Sequence, residues 1–304
     1  MTSSNRSYLG RFAPSPTGPL HFGSLAAAAG SFLEARTRGG AWLLRMEDVD
    51  APRCSQAAAD DILRTLEACG FAWDGEVVWQ SRRTGAYANA LERLKAAGRV
   101  FPCACTRKEL SDSAIAPDGA VIYPGTCRQG LPAGRPARAW RLRVGDARIA
   151  FDDAIQRRID SDLANEAGDF ILLRADGLFA YQLAVVVDDA AAGITHVVRG
   201  ADLLASTPRQ IFLQQSLGLA TPAYAHLPVA VNAAGEKLSK QTRAAPVDAS
   251  RPGPALFAAL DFLGQRPPPE LSGASPDELW AWAMSHWRLD RVPPGPACPA
   301  LTVG

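Results

Sequence analysis

Two short stretches of this chain hold side chains in spacings that suit chemistry on a phosphate. The first runs Arg11-Phe12-Ala13-Pro14-Ser15-Pro16-Thr17-Gly18-Pro19-Leu20-His21-Phe22-Gly23-Ser24. Three prolines stiffen it, Gly18 and Gly23 open it, and His21 stands where a helical pattern begins. A helix start aims unpaired backbone N–H groups outward, so this loop with His21 is suited to meet an anion. The second stretch is Lys237-Leu238-Ser239-Lys240-Gln241, just beyond a turn at Gly235. Its two lysines can hold triphosphate oxygens while pyrophosphate leaves, where charge builds in the transition state. Neither G-x-G-x-x-G nor G-x-x-x-x-G-K-[ST] occurs, which removes the two commonest phosphate loops.

The remaining reactive groups fall into a carboxylate set and a thiol set. Asp48, Asp50, Asp188 and Asp189 invite a two-metal reading. Nucleotide-associated Mg²⁺ explains acids near phosphates with fewer assumptions and is preferred. Cys103-Ala104-Cys105 and Cys127 supply three thiolates, one ligand short of a tetrahedral zinc, and no histidine lies in that segment. Cys54, Cys69 and Cys298 read as idle thiols, and His196, His226 and His286 receive no role.

The elements that must position these groups follow from periodicity. Tyr8 to Phe12 reads as a strand, and Leu25, Ala29, Phe32, Leu33 and Arg36 fall at the helical period. Trp42 to Met46 is a second buried strand. Helices follow over Gln56–Cys69 and Arg82–Ala97, the latter with Tyr87, Ala90, Leu91 and Leu94 on one face. This alternation is that of a parallel α/β sheet. The pattern breaks near Val100, and residues 101–177, with a strand at Ala139–Val144, are expected to form an insertion. It returns with strands over Leu178–Val187 and Ile194–Arg199, a helix over Ser206–Leu217 and a strand over Ala223–Val231. Two helices, Pro254–Leu263 and Pro276–Trp287, end the pattern. Arg11, Glu47, Tyr181 and Arg199 thereby fall on or beside predicted strands, and open α/β sheets bind ligands beyond strand ends.

Taken together, these motifs resemble those of one family. Arg11 to Ser24 resembles the HIGH-type signature of class I aminoacyl-tRNA synthetases, with R-F-A-P-S-P-T-G in the form seen in the glutamyl enzymes. Lys237 to Gln241 resembles the KMSKS signature, with Gln241 where the glutamyl enzymes usually carry a basic residue. Arg45-Met46-Glu47-Asp48-Val49-Asp50 resembles their R-I-E-D-T-D segment, which implies that Glu47 receives the substrate's α-amino group. F-A-Y-Q-L-A-V-V-V-D-D and V-R-G-A-D-L likewise imply Tyr181 and Arg199 at the substrate. Cys103, Cys105, Tyr123 and Cys127 resemble the Cys-x-Cys…Tyr-x₃-Cys zinc knuckle of some glutamyl-type enzymes.

The resemblance implies a Rossmann-like parallel sheet from residues 1–100 and 178–235 and a zinc-bearing α+β subdomain over 101–177. Residues 236–304 would carry the second signature and a short helical region. L-Glutamate would lie against Arg11, Phe12, Ala13, Pro14, Ser15, Glu47, Tyr181 and Arg199. ATP with Mg²⁺ would meet His21, Gly23 and Lys240, with His21, Lys237 and Lys240 catalytic. A dicarboxylic amino acid offers two carboxylates and one ammonium, so a pocket of two arginines and one glutamate suits it. The implied reaction is activation of glutamate to glutamyl-AMP without tRNA.

The acceptor is expected from length. Only residues 242–304 follow the second signature, 63 in number, too few for the anticodon-binding region of a discriminating glutamyl enzyme. The shape resembles the truncated branch of the family, which glutamylates queuosine in the anticodon loop of tRNA(Asp). A compact enzyme charging the tRNA 3′ end and a non-catalytic nucleotide or tRNA sensor are the alternatives. Net charge is only +1, so RNA contact must use local patches, and the 28 arginines against 4 lysines, although suited to phosphate, are read as genomic base bias. Met1 to Ser7 has no apolar run, and the stretch Gly177–Val187 is too short for a membrane span. A cytoplasmic monomer is expected.

Overall fold

The structure, a computed structural model, describes residues 7–116, 119, 121–232, 235, 237 and 245–299. Strand β1 (Leu9–Phe12), helix α1 (Phe22–Thr37) and strand β2 (Ala41–Met46) form the opening unit. β1 and β2 are parallel, in register from Leu9 opposite Ala41 to Phe12 opposite Leu44. Helix α2 (Gln56–Ala68) crosses to β3 (Val78–Trp79), which continues the sheet beyond β2. In α1, Leu25, Ala26 and every residue from Ala28 to Ala35 are buried, which its small residues permit. A Cβ at Gly30 would lie 2.8 Å from Leu227 Cδ1, so any larger residue there would have to displace that side chain.

Helix α3 (Thr84–Ala96) leads to β4 (Val100–Cys103), β5 (Ala139–Leu142), the hairpin β6 (Arg148–Asp153) and β7 (Arg157–Asp162), α4 (Leu163–Glu166) and β8 (Ile171–Leu173). β4, β5 and β8 form a small antiparallel sheet that carries the cysteines. The hairpin, although inside 101–177, joins the strands that follow, with Asp153 of β6 opposite Tyr224. Those are β9 (His196–Gly200) and β10 (Ala223–Leu227), parallel and linked by α6 (Thr207–Leu217). β9 lies beside β1, where Thr195 N–H donates to the Leu9 carbonyl at 3.0 Å. The carboxyl ends of β1, β2 and β9 therefore open on one side.

Residues 178–187 do not form the expected strand. They enter helix α5 (Tyr181–Ala192), which Gly193 ends in the left-handed region at φ 72°. An unbroken apolar run has no period to distinguish helix from strand. Here Leu183, Ala184, Val185 and Val186 are all buried, sharing a core with Tyr87 and Leu91 of α3 and Ile211 and Leu213 of α6. The expected strand over 223–231 is divided into β10 and β11 (Val229–Val231). Helices α7 (Pro252–Phe262) and α8 (Pro276–His286) pack on α1, and β12 (Ala297–Pro299) pairs with β11.

Candidate functional site

A cleft of about 470 Å³ opens at the carboxyl ends of β1, β2 and β9. Arg11 and Phe12 of β1 line it with Ala13, Pro14 and Ser15 of the loop beyond. Glu47 enters from the exit of β2, Arg199 from β9, and Tyr181 from the first turn of α5. His21, Gly23 and Lys237 complete its outer wall. Two backbone bonds fix the proline loop against β2: Glu47 N–H to the Pro14 carbonyl at 2.9 Å and Ser55 N–H to that of Pro16 at 3.0 Å. Every expected cleft residue but one is thus brought together. The exception, Lys240, lies outside the described residues with Leu238, Ser239 and Gln241.

His21 is the N-cap of α1, its Nδ1 accepting the Ser24 N–H at 3.3 Å. The Ser24 hydroxyl lies 3.1 Å from Nε2. An imidazole cap ties the ring to the first turn, next to the outward N–H groups. Pro246 forms a bridge with His21, and Val247 N–H donates to the Leu20 carbonyl at 2.9 Å. Lys237 bridges back to Val231, and its Nζ meets Asp202 Oδ2 at 2.7 Å. Both flanks of the second signature therefore lie against the cleft.

The inner wall is a buried charge network. Arg45 Nη1 donates to Asp189 at 2.6 Å, and Nη2 reaches Glu47 at 3.2 Å. Arg11 makes two longer contacts to the Asp189 carboxylate, 3.3 and 3.4 Å. Burial pushes the Asp189 carboxyl up, but Arg11 and Arg45 outweigh it and hold it below the usual range. Glu47 goes the other way: burial dominates over Arg45 and Arg11, and its carboxyl is raised. Burial, then the Glu47 charge, push the Tyr181 phenol up to about 12. Arg199 lies across the cleft, with Nη2 donating to Thr207 Oγ1 and Gln210 Oε1, both at 2.8 Å. Its buried Nη1 has no hydrogen-bond partner among the described residues.

Arg45 and Asp189 were not singled out from the sequence as binding residues. The signal was present in two adjacent aspartates closing an apolar run, a costly place for charge without partners. The four acids considered for a two-metal site are engaged otherwise. Asp48 accepts from Ser81, Asp50 pairs with Arg53 and Arg174, and Asp188 is held by Gln80, Arg83 and Tyr87.

Among the described residues the metal-competent cluster is the thiol set. Sγ atoms of Cys103, Cys105 and Cys127 lie within 4.8 Å of one another, with Cys105 and Cys127 3.7 Å apart. Tyr123 Oη is 3.5 Å from Cys103 Sγ and 3.4 Å from Cys105 Sγ. Tetrahedral zinc with Zn–S bonds of about 2.3 Å sets sulfurs roughly 3.8 Å apart, so the donor set fits. The Arg141 guanidinium stacks 3.9 Å over the Tyr123 ring, while burial and then the bonds to the three thiols push the phenol up.

Asp189→Asn leaves Arg11 and Arg45 without their shared counter-charge and is expected to lower stability by about 3–5 kcal/mol. A depressed carboxyl contributes stability in full above its unfolded pKa of about 3.9, and the contribution is lost as pH falls through the folded value. The variant should therefore show a shallower acid limb. Urea midpoints measured from neutral to acid pH check both, and coincident curves would remove Asp189 from this role.

Comparison with known proteins gives a consistent family. The family described as tRNA synthetases class I (E and Q), catalytic domain, matches residues 9–252. A protein of Aromatoleum aromaticum named glutamyl-Q tRNA(Asp) synthetase is 67% identical over 286 residues, covering 94% of this chain and 90% of its own. One of the same name from Dechloromonas aromatica is 64% identical, covering 95% and 97%. Among solved structures, glutamate-tRNA synthetase of Elizabethkingia anophelis superposes with a TM-score of 0.81 at 24% identity. That match covers 98% of this chain and 68% of the other and bears on the fold. The chain belongs to the class I tRNA synthetases of the E and Q type, in the company of proteins named glutamyl-Q tRNA(Asp) synthetase.

Proposed function

We propose that this cleft activates L-glutamate with ATP to glutamyl-AMP without tRNA, and that the glutamyl group passes to queuosine in the anticodon loop of tRNA(Asp). The observation that carries the reading is Arg199, which lines the cleft with Arg11 and Glu47 and whose buried Nη1 has no hydrogen-bond partner among the described residues. A buried cationic donor without a partner is costly unless a ligand supplies one. Two arginines answer two carboxylates, and Glu47 offers the carboxylate that an ammonium needs. Phe12, Ala13, Pro14, Ser15 and Tyr181 shape the remaining wall.

In this reading a carboxylate oxygen of glutamate attacks the α-phosphorus of ATP in line, and the bond to pyrophosphate breaks. The protein supplies position and charge rather than a covalent nucleophile. His21, Gly23 and the α1 amides hold phosphate oxygens, while Lys237 and Lys240 offset the charge that grows on the leaving group. Mg²⁺ would accompany the nucleotide. Cys103, Cys105, Tyr123 and Cys127 would hold one structural Zn²⁺, whose bonds add to folding stability. The relatives' name, glutamyl-Q tRNA(Asp) synthetase, supports the acceptor. Among the described residues no helix is long and apolar enough to cross a membrane. We place the enzyme in the cytoplasm as a monomer.

Three outcomes test this reading. ATP–pyrophosphate exchange should proceed with glutamate alone, fail with glutamine, and fall about 10²–10³-fold in Lys240→Ala; an absolute tRNA requirement overturns tRNA-free activation. One zinc per chain should copurify, Cys105→Ala should lose it, and Tyr123→Phe should weaken its retention; a metal-free wild type overturns the knuckle. Labelled glutamate should travel with the anticodon fragment of cleaved tRNA(Asp) and require queuosine. Label on the 3′ fragment would assign the chain to 3′-end charging instead.

A further inference from the structure

Arg199 lines the cleft, and three neighbouring strands set a row of buried polar groups behind it. Arg199 of β9 stands opposite His226 of β10, and β10 meets β6 at Tyr224 and Asp153. All three side chains are buried: Arg199 is 6% exposed, His226 0% and Asp153 4%. Arg199 Nε lies 3.1 Å from His226 Nε2, and His226 Nδ1 lies 2.6 Å from Asp153 Oδ2. A guanidinium N–H can only donate, so His226 Nε2 must carry a lone pair and the ring proton must sit on Nδ1. Asp153 Oδ2 accepts that proton. Its Oδ1 is already occupied by three backbone N–H groups, those of Ile155 at 3.0 Å, Gln156 at 2.8 Å and His226 at 3.1 Å.

The consequence lies in what this row does not do. Burial holds the His226 pKa down to about 4, so the ring is neutral at physiological pH. Its other neighbours on Arg199, Thr207 and Gln210, are neutral as well. The guanidinium is thus fixed along its Nε and Nη2 edge by acceptors that leave its charge uncancelled. A carboxylate in direct contact would fix it equally well and spend the charge that an anionic ligand needs. Asp153 is one residue removed, close enough to set the tautomer and too far to pair with Arg199.

We propose that Asp153 and His226 are positioning residues for glutamate, holding the Nδ1–H tautomer that fixes Arg199 in the cleft wall by its Nε edge with its charge available. This rests on the reading of the cleft as a glutamate site. Asp153→Asn is the informative change, because three backbone donors keep the amide oxygen where Oδ1 stands. The amide NH₂ then faces His226 Nδ1, the ring proton moves to Nε2, and Nε2–H opposes Arg199 Nε–H.

The experiment pairs kinetics with ¹⁵N NMR of the histidine rings. In D153N the KM for glutamate in ATP–pyrophosphate exchange should rise about 10- to 100-fold, the scale of a lost bond to a charged group. The KM for ATP should stay within about twofold, and the His226 signals should change to the Nε2–H tautomer. H226Q offers an amide oxygen that accepts from Arg199 without any tautomer, so adding D153N to H226Q should leave the glutamate KM unchanged. A folded D153N with wild-type glutamate KM, or with His226 still protonated on Nδ1, overturns the proposal. If D153N does not fold, H226Q and H226N decide: the longer amide should preserve the glutamate KM and the shorter should raise it at least tenfold, and equal values overturn it. Should the wild type show no glutamate-dependent exchange, the functional reading fails, and the tautomer measurement still judges the row by itself.

Discussion

The site depends first on one buried carboxylate, Asp189, shared by Arg11 and Arg45. Its partners come from β1 and β2, while Asp189 itself stands on α5. Removing three charges from water is expensive, and the arrangement is stable only because each remains in contact with an opposite one. That requirement fixes the phase of α5 against the sheet. Neighbouring Asp188 points elsewhere, as successive helical residues must, and takes Gln80, Arg83 and Tyr87. Two adjacent acids thereby clamp α5 to the strands on one side and to α3 with its preceding turn on the other.

The segments after the second signature belong to the same core rather than to an appendage. Leu256, Leu260 and Phe262 of α7 share a cluster with Leu25 and Phe32 of α1. Trp280 of α8 stacks edge-on against Phe32 and Phe71 at 5.2 and 5.0 Å. Trp287 Nε1 donates to the buried Glu34 of α1 at 2.7 Å. Gln156, in the turn next to Asp153, bonds to both the His226 carbonyl and the Gly295 backbone, while β12 pairs with β11. The chain end thus braces the strands that lead into Lys237 and those that carry the Arg199 row.

How much of this was legible depended on whether partners were close in sequence. The loop from Arg11 to Ser24 could be read directly, because a strand, a proline-stiffened turn and a helix start are local properties. Arg11, Glu47 and Arg199 could be placed near one another because parallel strands share an end. Tyr181 was expected at the site for the right neighbourhood and the wrong element, since an apolar run buried on all sides hides its period. His226 was left without a role because its contacts exist only through register: Arg199 opposite it in β9 and Asp153 on the far side in β6. No local pattern encodes that pairing. The thiol set was visible as spacing, whereas the approach of Tyr123 Oη to two of the sulfurs required the antiparallel sheet and its long loop to close.

In the proposed reading, the charges of this frame favour glutamate over its amide. Arg11, Arg45, Asp189 and Glu47 form a group with two positive and two negative members, and Arg199 adds one positive charge whose contacts are neutral. Glutamate carries one net negative charge, on a side chain where glutamine carries none. Glutamine is a zwitterion of almost the same shape, so packing alone would separate the two poorly. Its amide would also turn an NH₂ toward a second donor, leaving a buried cationic N–H without an acceptor, at a cost of about 1–3 kcal/mol and more for a charged group. In the proposed reading, neutral His226, Thr207 and Gln210 hold Arg199 while leaving its charge for the ligand, where an acidic neighbour would not.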